Sequence, residues 1–395
     1  MKKGMAMLMA VCMTAAMTGC GGNGAAATTA PGSTAATAPA ATTASEEETT
    51  AAHGEAATAA SGAQAGSLMT IEEACAAAVG NLNLNEADFA DLDPVTLTIA
   101  SSASSSNFGY TVMTELADAV KEKTGGKLNF NIVWDGTLGS DNELTESCEA
   151  GDIDIVFEST SSLANYIPES AVFDMPGLFT NVEEATKACR AFLDTWNEIC
   201  AKYDLYTLDL TCPMFRAFSC NKEVKAPEDF SGISVRCAEN KYYQAFYSNL
   251  GMSPTPLAYS ELYMALSQGL VGAQDNPISV IYAAKFYEVQ SHYMEINAIG
   301  YASNLLINKD IYEALDPAYQ DALKQFAVQF YDGEINGQAY ADQEAFDAIG
   351  DVMTVLPVTG EIQAAVAEAG QPVWEMVAQD VGQEIVDKFL ACAGK

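Results

Sequence analysis

The chain has 395 residues, is 49% hydrophobic, and sets 18 Lys and Arg against 53 Asp and Glu, for a formal net charge of −35. That length and apolar content suit one large or two modest domains with a substantial core. So acidic a surface disfavours nucleic acid as a partner, because phosphate binding needs clustered Lys and Arg, and it keeps a protein soluble and off anionic surfaces.

Residues 1–20 read as a targeting segment. Lys2 and Lys3 form a positive start, and Met5 to Met17 form an apolar stretch too short to span a bilayer. The stretch ends in Met17-Thr18-Gly19-Cys20, which resembles a bacterial lipobox. The small residue before Cys20 would suit the lipoprotein peptidase, and the Cys20 thiol would take the lipid. The expectation is a lipoprotein signal peptide over 1–20 and an exported protein held on the outer face of the cell membrane by its lipid anchor alone. An ordinary secretory signal cut elsewhere is the alternative. No later segment is long and apolar enough to span a membrane.

Residues 21–66 are rich in Ala, Thr, Gly, Pro, Ser and Glu, and no aromatic residue occurs between Gly21 and Phe89. Such a stretch cannot bury enough apolar area to offset chain entropy, so a disordered tether is expected, with a reach of roughly 35–40 Å. Residues 67–94 form a short N-terminal extension with one predicted helix around Ile71-Glu72-Glu73-Ala74-Cys75-Ala76. Ten cysteines are present. Cys12 leaves with the signal and Cys20 takes lipid, so eight remain, with no C-x-x-C pair to suggest zinc or thioredoxin-like chemistry. They are expected as buried free thiols, although extracellular cysteines can pair.

From Val95 the pattern is strand, helix, strand. Val95-Thr96-Leu97-Thr98-Ile99 alternates as a half-buried strand, and Val112, Met113, Leu116, Ala119 and Val120 recur at helical spacing. Gly125-Gly126 marks a stop. Leu128 to Val133 is a second strand, Ser140 with Glu143 is a capping box opening a helix that stops at Gly151, and Ile153 to Phe157 is a third strand. Strands separated by helices of this length predict a parallel α/β sheet. A second α/β stretch starts near Cys212, with a strand through Phe215-Arg216-Ala217-Phe218, a loop at Pro227, a strand Ile233 to Arg236, and a helix from about Asn240 to Leu250. Ser253-Pro254-Thr255-Pro256 reads as a rigid extended connector, because residues before proline avoid the helical region. Tyr259 to Gln268 reads as a helix ended by Gly269. From Ile311 the pattern is helical to the end, interrupted by a strand near Val352 to Pro357.

Catalytic templates are absent. Of two histidines, His53 lies in the tether and His292 in the fold, so no His-based zinc site can form. H-E-x-x-H, G-x-S-x-G and the P-loop pattern do not occur. Gly269-Leu270-Val271-Gly272 lacks dinucleotide spacing and reads as a helix-to-strand turn. The many carboxylates single out no catalytic pair. The arginines are more informative, since there are only three. Arg190 reads as surface. Arg216 and Arg236 both sit in apolar strand contexts, where an unpaired charge is costly. Each needs a carboxylate, internal or brought by a ligand, and guanidinium offers a planar fork for one.

Several stretches, in order, resemble the DctP-type solute-binding proteins of TRAP transporters over residues 95 to about 340. They are Glu122-Lys123-Thr124-Gly125-Gly126-Lys127, Thr137-Leu138-Gly139-Ser140, Pro168 to Pro176, Ala226 to Arg236, Pro254-Thr255-Pro256, Tyr259 to Leu266, Gln274-Asp275-Asn276-Pro277 and Lys285 to Gln290. The resemblance implies an α/β, two-lobed periplasmic-binding-protein-like fold over 95–395, with a hinge and C-terminal helices. Lobe I would comprise about 95–212 plus about 303–350, and lobe II about 213–302 plus C-terminal segments. It implies a small organic-acid ligand delivered to ion-gradient-driven TRAP membrane permease subunits, with no enzymatic activity, no cofactor and no metal. It makes Arg236 the carboxylate-clamping arginine with Asn276 beside it. The loop before Asn276 departs from the family's usual pattern, with Gly272-Ala273 and Asp275.

Ser104-Ser105-Ser106-Asn107 and Phe157-Glu158-Ser159 are similar to the sialate-binding members. That similarity implies that Asn107 and Glu158 meet sugar hydroxyls, that Tyr259 packs on the ring, and that Arg216 is a second basic group. Alternatively Asn107 only caps the following helix and Glu158 is solvent-exposed. A sugar acid is thus expected ahead of a C4-dicarboxylate or keto acid. A ligand sensor docking on a receptor kinase, or a hydrolase of acidic sugars, are the other classes; the hydrolase would need a poised acid/base pair.

Overall fold

The computed structural model describes residues 68–395, so the signal peptide, Cys20 and the tether lie outside the described residues. The N-terminal extension folds into α1 (Ile71–Asn81), opened by a capping box in which the Thr70 and Glu73 side chains satisfy each other's backbone amides. There follow β1 (Val95–Ala100), α2 (Phe108–Lys123), β2 (Leu128–Val133), α3 (Asp141–Glu149), β3 (Ile155–Ser159) and the single turn α4 (Thr160–Leu163). Lys121 and Lys123 sit in the last turn of α2, where cations complement the helix dipole. Gly125 and Gly126 then reverse the chain at φ +62° and +78°. Next come α5 (Val182–Cys200) and the long β4 (Leu205–Phe215).

The chain crosses to a second sheet with β5 (Ala217–Cys220), β6 (Ser234–Cys237), α6 (Lys241–Asn249), β7 (Ser253–Pro256), α7 (Leu262–Ser267), β8 (Ala273–Asn276), α8 (Ile278–Ala283) and β9 (His292–Met294). It returns through β10 (Gly300–Asn308) and α9 (Lys309–Ala314) to the 34-residue α10 (Pro317–Gly350). The short β11 (Thr354–Val355), α11 (Gly360–Val381) and α12 (Gln383–Cys392) complete it.

The first sheet has strand order β2-β1-β3-β10-β4 and the second β11-β9-β5-β8-β6-β7. The fold is thus α/β with two lobes. The sheets are mixed rather than parallel: β1 pairs in parallel with β2 and β3, but β10 runs antiparallel between β3 and β4. Two local readings also change. Phe215–Phe218 is not one strand; Arg216 is the link between β4 in one sheet and β5 in the other. Ser253–Pro256 is not a free connector but an edge strand parallel to β6, a position where proline's missing N–H does no harm.

Three apolar clusters hold the fold. One, under β1–β3, gathers Val112, Leu116 and Val120 of α2 with Phe326 and Phe330 of α10. Cys75, Ala78, Leu82 and Phe89 join it, so residues 68–94 are part of the lobe rather than an appendage. Glycine makes that docking possible: a Cβ on Gly333 of α10 would lie 2.7 Å from Val112 Cγ1 and 3.4 Å from Ala78 Cβ. A second cluster joins Leu262, Ile281 and Tyr293 to Ala345 and Ile349 at the far end of α10. At ~1.5 Å per residue α10 is about 50 Å long, enough to serve as a common spine for both lobes. The third cluster ties α5 and α6 to the C-terminal helices, with Phe389 of α12 5.0 Å from Phe173 and 5.1 Å from Phe192 between ring centroids. All eight cysteines of the described residues are unpaired, seven of them buried.

Arg190, read from sequence as surface, is instead a structural tie. Its Nη2 donates to Asp209 Oδ2 of β4 at 2.8 Å and its Nη1 lies 2.8 Å from Asp332 Oδ1 of α10. Among the described residues no helix is long and apolar enough to cross a membrane.

Candidate functional site

A small cavity of about 50 Å³ lies between the two sheets. Its walls are the ends of strands and the turns after them, the usual place for a site in an α/β sheet. Asn107, Glu158, Arg216, Arg236, Tyr259 and Asn276 all face this one cavity. They come from six separate segments, and only tertiary folding brings them together.

The two arginines share the burial expected of them but differ in partners. Arg216, 4% exposed, is engaged from both sides. Its Nη1 donates to the Asp275 carbonyl at 3.2 Å and to Asn276 Oδ1 at 3.3 Å. Its Nη2 donates to Ser159 Oγ at 3.2 Å and Ser161 Oγ at 2.9 Å. The Asp275 carboxylate stands 3.7 Å away, and the guanidinium lies 4.8 Å from the Tyr301 ring centre and 5.2 Å from that of Tyr243. Arg216 therefore has its internal counter-charge and joins β3 and α4 of one lobe to β8 of the other.

Arg236, 3% exposed, has no carboxylate within ion-pair distance among the described residues. Its Nε and Nη2 both donate to the Leu257 carbonyl, at 3.0 and 2.7 Å. Nη1 has no protein acceptor, and the residue lines the cavity. Burial lowers the guanidinium's proton affinity below its ordinary value, opposed by the nearby Asp275 charge. A buried arginine with one side fixed and the other open is poised for an anion. Asn276 lies between the two: it accepts from Arg216 and donates through Nδ2 to Gln274 Oε1 at 2.7 Å.

The opposite wall is acidic. Glu158 is 3% exposed, which overturns the solvent-exposed alternative. Thr145 Oγ1 donates to its Oε1 at 2.8 Å, and its Oε2 has no partner. Burial, then the charge of Asp141, push its carboxyl well above the usual carboxylate range. Asp141, at the first turn of α3, accepts from Ser162 Oγ at 3.0 Å and from Ser102 Oγ. Asn107 does cap α2, its Oδ1 accepting from the Gly109 amide at 2.9 Å, and it also lines the cavity. Tyr259 packs edge-on against Phe286, with ring centroids 6.1 Å apart. It lies in a short 3-10 turn, and the α-helix starts only at Leu262.

Sequence reasoning missed Glu334. It lies midway along α10, is 1% exposed, lines the cavity, and has an unpartnered Oε2. Burial pushes its carboxyl up to about 8. A signal existed: Phe326, Phe330, Glu334, Gln338 and Ala341 form one helical face, and the other members are buried core. An acid on that stripe stands out only when the helix is phased over its whole length.

Residues 99–380 match the family described as DctP, bacterial extracellular solute-binding protein, family 7. A solute-binding protein of Verminephrobacter eiseniae is 32% identical over 266 residues, 65% of this chain and 77% of that protein. The sialic acid-binding periplasmic protein SiaP of Vibrio cholerae is 26% identical over 298 residues, 75% of this chain and 92% of that one. Among solved structures, a TRAP periplasmic solute-binding protein from Polaromonas, bound to D-erythronate, matches with TM-score 0.66 at 26% identity, covering 75% of this chain and 98% of that one.

Proposed function

Because the chain belongs to the DctP family of bacterial extracellular solute-binding proteins, family 7, we propose that it captures a hydroxylated organic acid outside the cytoplasm and delivers it to TRAP membrane permease subunits. The protein itself performs no chemistry, and the permease's ion gradient drives uptake. A lipid on Cys20 and the tether over 21–66 hold it at the outer face of the membrane.

The observation that carries this reading is Arg236: a buried guanidinium that lines the cavity, held by one backbone carbonyl, with Nη1 making no hydrogen bond within the protein and no carboxylate at ion-pair distance. The ligand's carboxylate supplies the missing anion, with Asn276 beside it. Arg216, already paired with Asp275, contributes positive potential and shapes the floor. Asn107, Glu158 and Tyr259 meet the rest of the molecule. The relatives include sialic acid-binding and C4-dicarboxylate-binding proteins alike, so the preference for a sugar acid rests on the polar groups that Asn107, Glu158 and Tyr259 bring to the cavity.

A ligand that binds only the folded state raises the melting temperature. Thermal-shift screening of the purified protein against sialic and uronic acids, aldonates, keto acids and dicarboxylates tests the proposal. A shift with sugar acids is expected. Tight binding of a C4-dicarboxylate with no response to any sugar acid would replace the ligand class and leave the transport role standing. No response to any acid would remove the role as well.

A further inference from the structure

We propose that Glu334 is a specificity-determining residue that accepts and donates hydrogen bonds to ligand hydroxyls and, with Glu158 and Asp141, excludes a second carboxylate. This rests on the reading of Arg236 as the carboxylate anchor.

Glu334 is the only residue of α10 that lines the cavity. Its carboxyl is buried, yet no hydrogen bond or ion pair satisfies it within the protein, and Oε2 is orphaned. A buried acid that served the fold would have a donor or a cation beside it. Glu158 repeats the pattern, with one oxygen held by Thr145 and Oε2 unpaired on the same cavity.

The space Glu334 occupies is opened by a glycine. A Cβ on Gly109 would collide with Glu334 Oε1 and lie 3.2 Å from Asn107 Oδ1. The first turn of α2 thus lacks a side chain just where the Glu334 carboxyl passes it beside Asn107. Glu334, Glu158, Asn107 and Asp141 give the cavity a set of donors and acceptors that includes no Lys or Arg.

With one carboxylate on Arg236, the far end of the ligand meets this set. A second carboxylate there would find no cation among these residues and, having no proton to donate, would leave the acceptor oxygens of Glu334 and Glu158 without a partner. A hydroxyl can donate to one carboxyl oxygen and accept from a protonated one, so both orphaned oxygens gain partners. The favoured class is a monocarboxylate bearing several hydroxyls. Rejection of the wrong ligand comes from the hydrogen bonds it cannot make with these carboxyls.

The test uses the full-length protein and calorimetry with D-erythronate, D-galactonate and N-acetylneuraminate on one side and succinate and fumarate on the other. Glu334→Met keeps the length of the side chain and removes its polarity; Glu334→Gln keeps a donor and an acceptor. The expected result is that at least one hydroxylated acid binds wild type better than either dicarboxylate. Glu334→Met should weaken that acid about tenfold or more, while Glu334→Gln stays within about threefold. The melting temperature of Glu334→Met should equal or exceed wild type, because an orphaned buried carboxyl is gone; a structural role predicts a fall. Full affinity in Glu334→Met, or a dicarboxylate binding wild type more tightly than every hydroxylated acid, overturns the inference and leaves the acid-receptor reading intact. Binding of none of the five acids overturns that reading, and this inference with it.

Discussion

Replacing each cavity arginine by alanine should produce opposite phenotypes, because their partners differ. Arg236→Ala removes the anchor for the ligand's carboxylate and leaves that carboxylate buried and unpaired. Such truncations cost about 3–5 kcal/mol of binding, or two to three and a half decades in Kd. The fold loses only the two bonds to the Leu257 carbonyl, about 1–3 kcal/mol, and regains part of it by no longer burying a guanidinium that has no counter-ion. Arg216→Ala instead strips the counter-charge from Asp275, a fully buried carboxyl, and the donors from Asn276 Oδ1, Ser159 and Ser161. Breaking a buried pair from one side costs about 3–5 kcal/mol of stability. Calorimetry with the best acid from the thermal screen, paired with urea unfolding of each variant, separates the two. Arg236→Lys should fall between wild type and alanine, since it keeps the charge and loses the fork. Wild-type affinity in a folded Arg236→Ala protein refutes the anchor assignment.

Three further outcomes are expected. Cys20→Ala should abolish lipid attachment and release the protein to the medium or leave it unprocessed; a fully processed Cys20→Ala protein still retained on membranes contradicts the anchor. Asn107→Ala and Glu158→Ala should each weaken sugar-acid binding about tenfold, roughly 1.4 kcal/mol, and Asn107→Ala should also cost about 0.5–2 kcal/mol of stability through the lost α2 cap; loss of stability without a binding defect would make both residues structural. Stability should fall as pH rises. Burial raises Asp342 to about 6, Asp174 to about 7 and Glu334 to about 8, each above its ordinary value. A carboxyl raised in the folded state favours folding when protonated. That contribution is complete below the unfolded value near pH 4 and is lost as pH climbs through 6, 7 and 8. Melting temperatures from about pH 5.5 to about pH 9 should therefore decline, and Glu334→Gln should flatten the upper part of the decline. A curve that rises over this window shows that the acids are ionised and compensated in the fold.

How far the site was legible depends on how local each determinant is. Arg236 stood out because a guanidinium inside Ile233-Ser234-Val235-Arg236-Cys237 breaks an apolar strand, a purely local signal. Which of the two arginines lacks a counter-ion was not local. Asp275 reaches Arg216 because β8 pairs antiparallel with β5, setting Phe218 opposite Asp275 and Ala217 opposite Asn276, a register fixed by partners about sixty residues apart. The sheet direction failed for the same reason. The strand–helix–strand rhythm of 95–157 correctly gave β1, β2 and β3, but nothing in it announces that β10, over 140 residues later, inserts antiparallel beside β3. The break at Arg216 hid inside a continuous apolar run, since strands buried in either sheet read alike. Glu334 was masked by composition: among 53 acidic residues one more draws no notice until helical phasing puts it on a buried stripe.

The same non-local contacts explain why the site is built from both lobes rather than from either one. Arg216 spans from Ser159 and Ser161 to β8, and Asn240 Nδ2, at the start of α6, donates across to the Ser161 carbonyl and to Asp174 Oδ2, each at 3.0 Å. Asn142 Nδ2 of α3 donates to Glu239 Oε2 at 2.9 Å, and Asn165 Nδ2 to the Glu239 carbonyl. Separating the lobes breaks these bonds together, at about 0.5–1.5 kcal/mol each when water replaces them. It also hydrates Glu158, Glu334 and Arg236, whose burial is costly. The first effect favours closure and the second opposes it. On the proposed reading, a ligand that pairs with Arg236 and occupies the orphaned carboxyl oxygens would remove the opposing term without touching the favourable one. It need bind only the closed state to shift the balance, so anchor and hydroxyl wall act through one equilibrium: a molecule satisfying only one of them leaves part of the burial cost uncompensated and the lobes free to part.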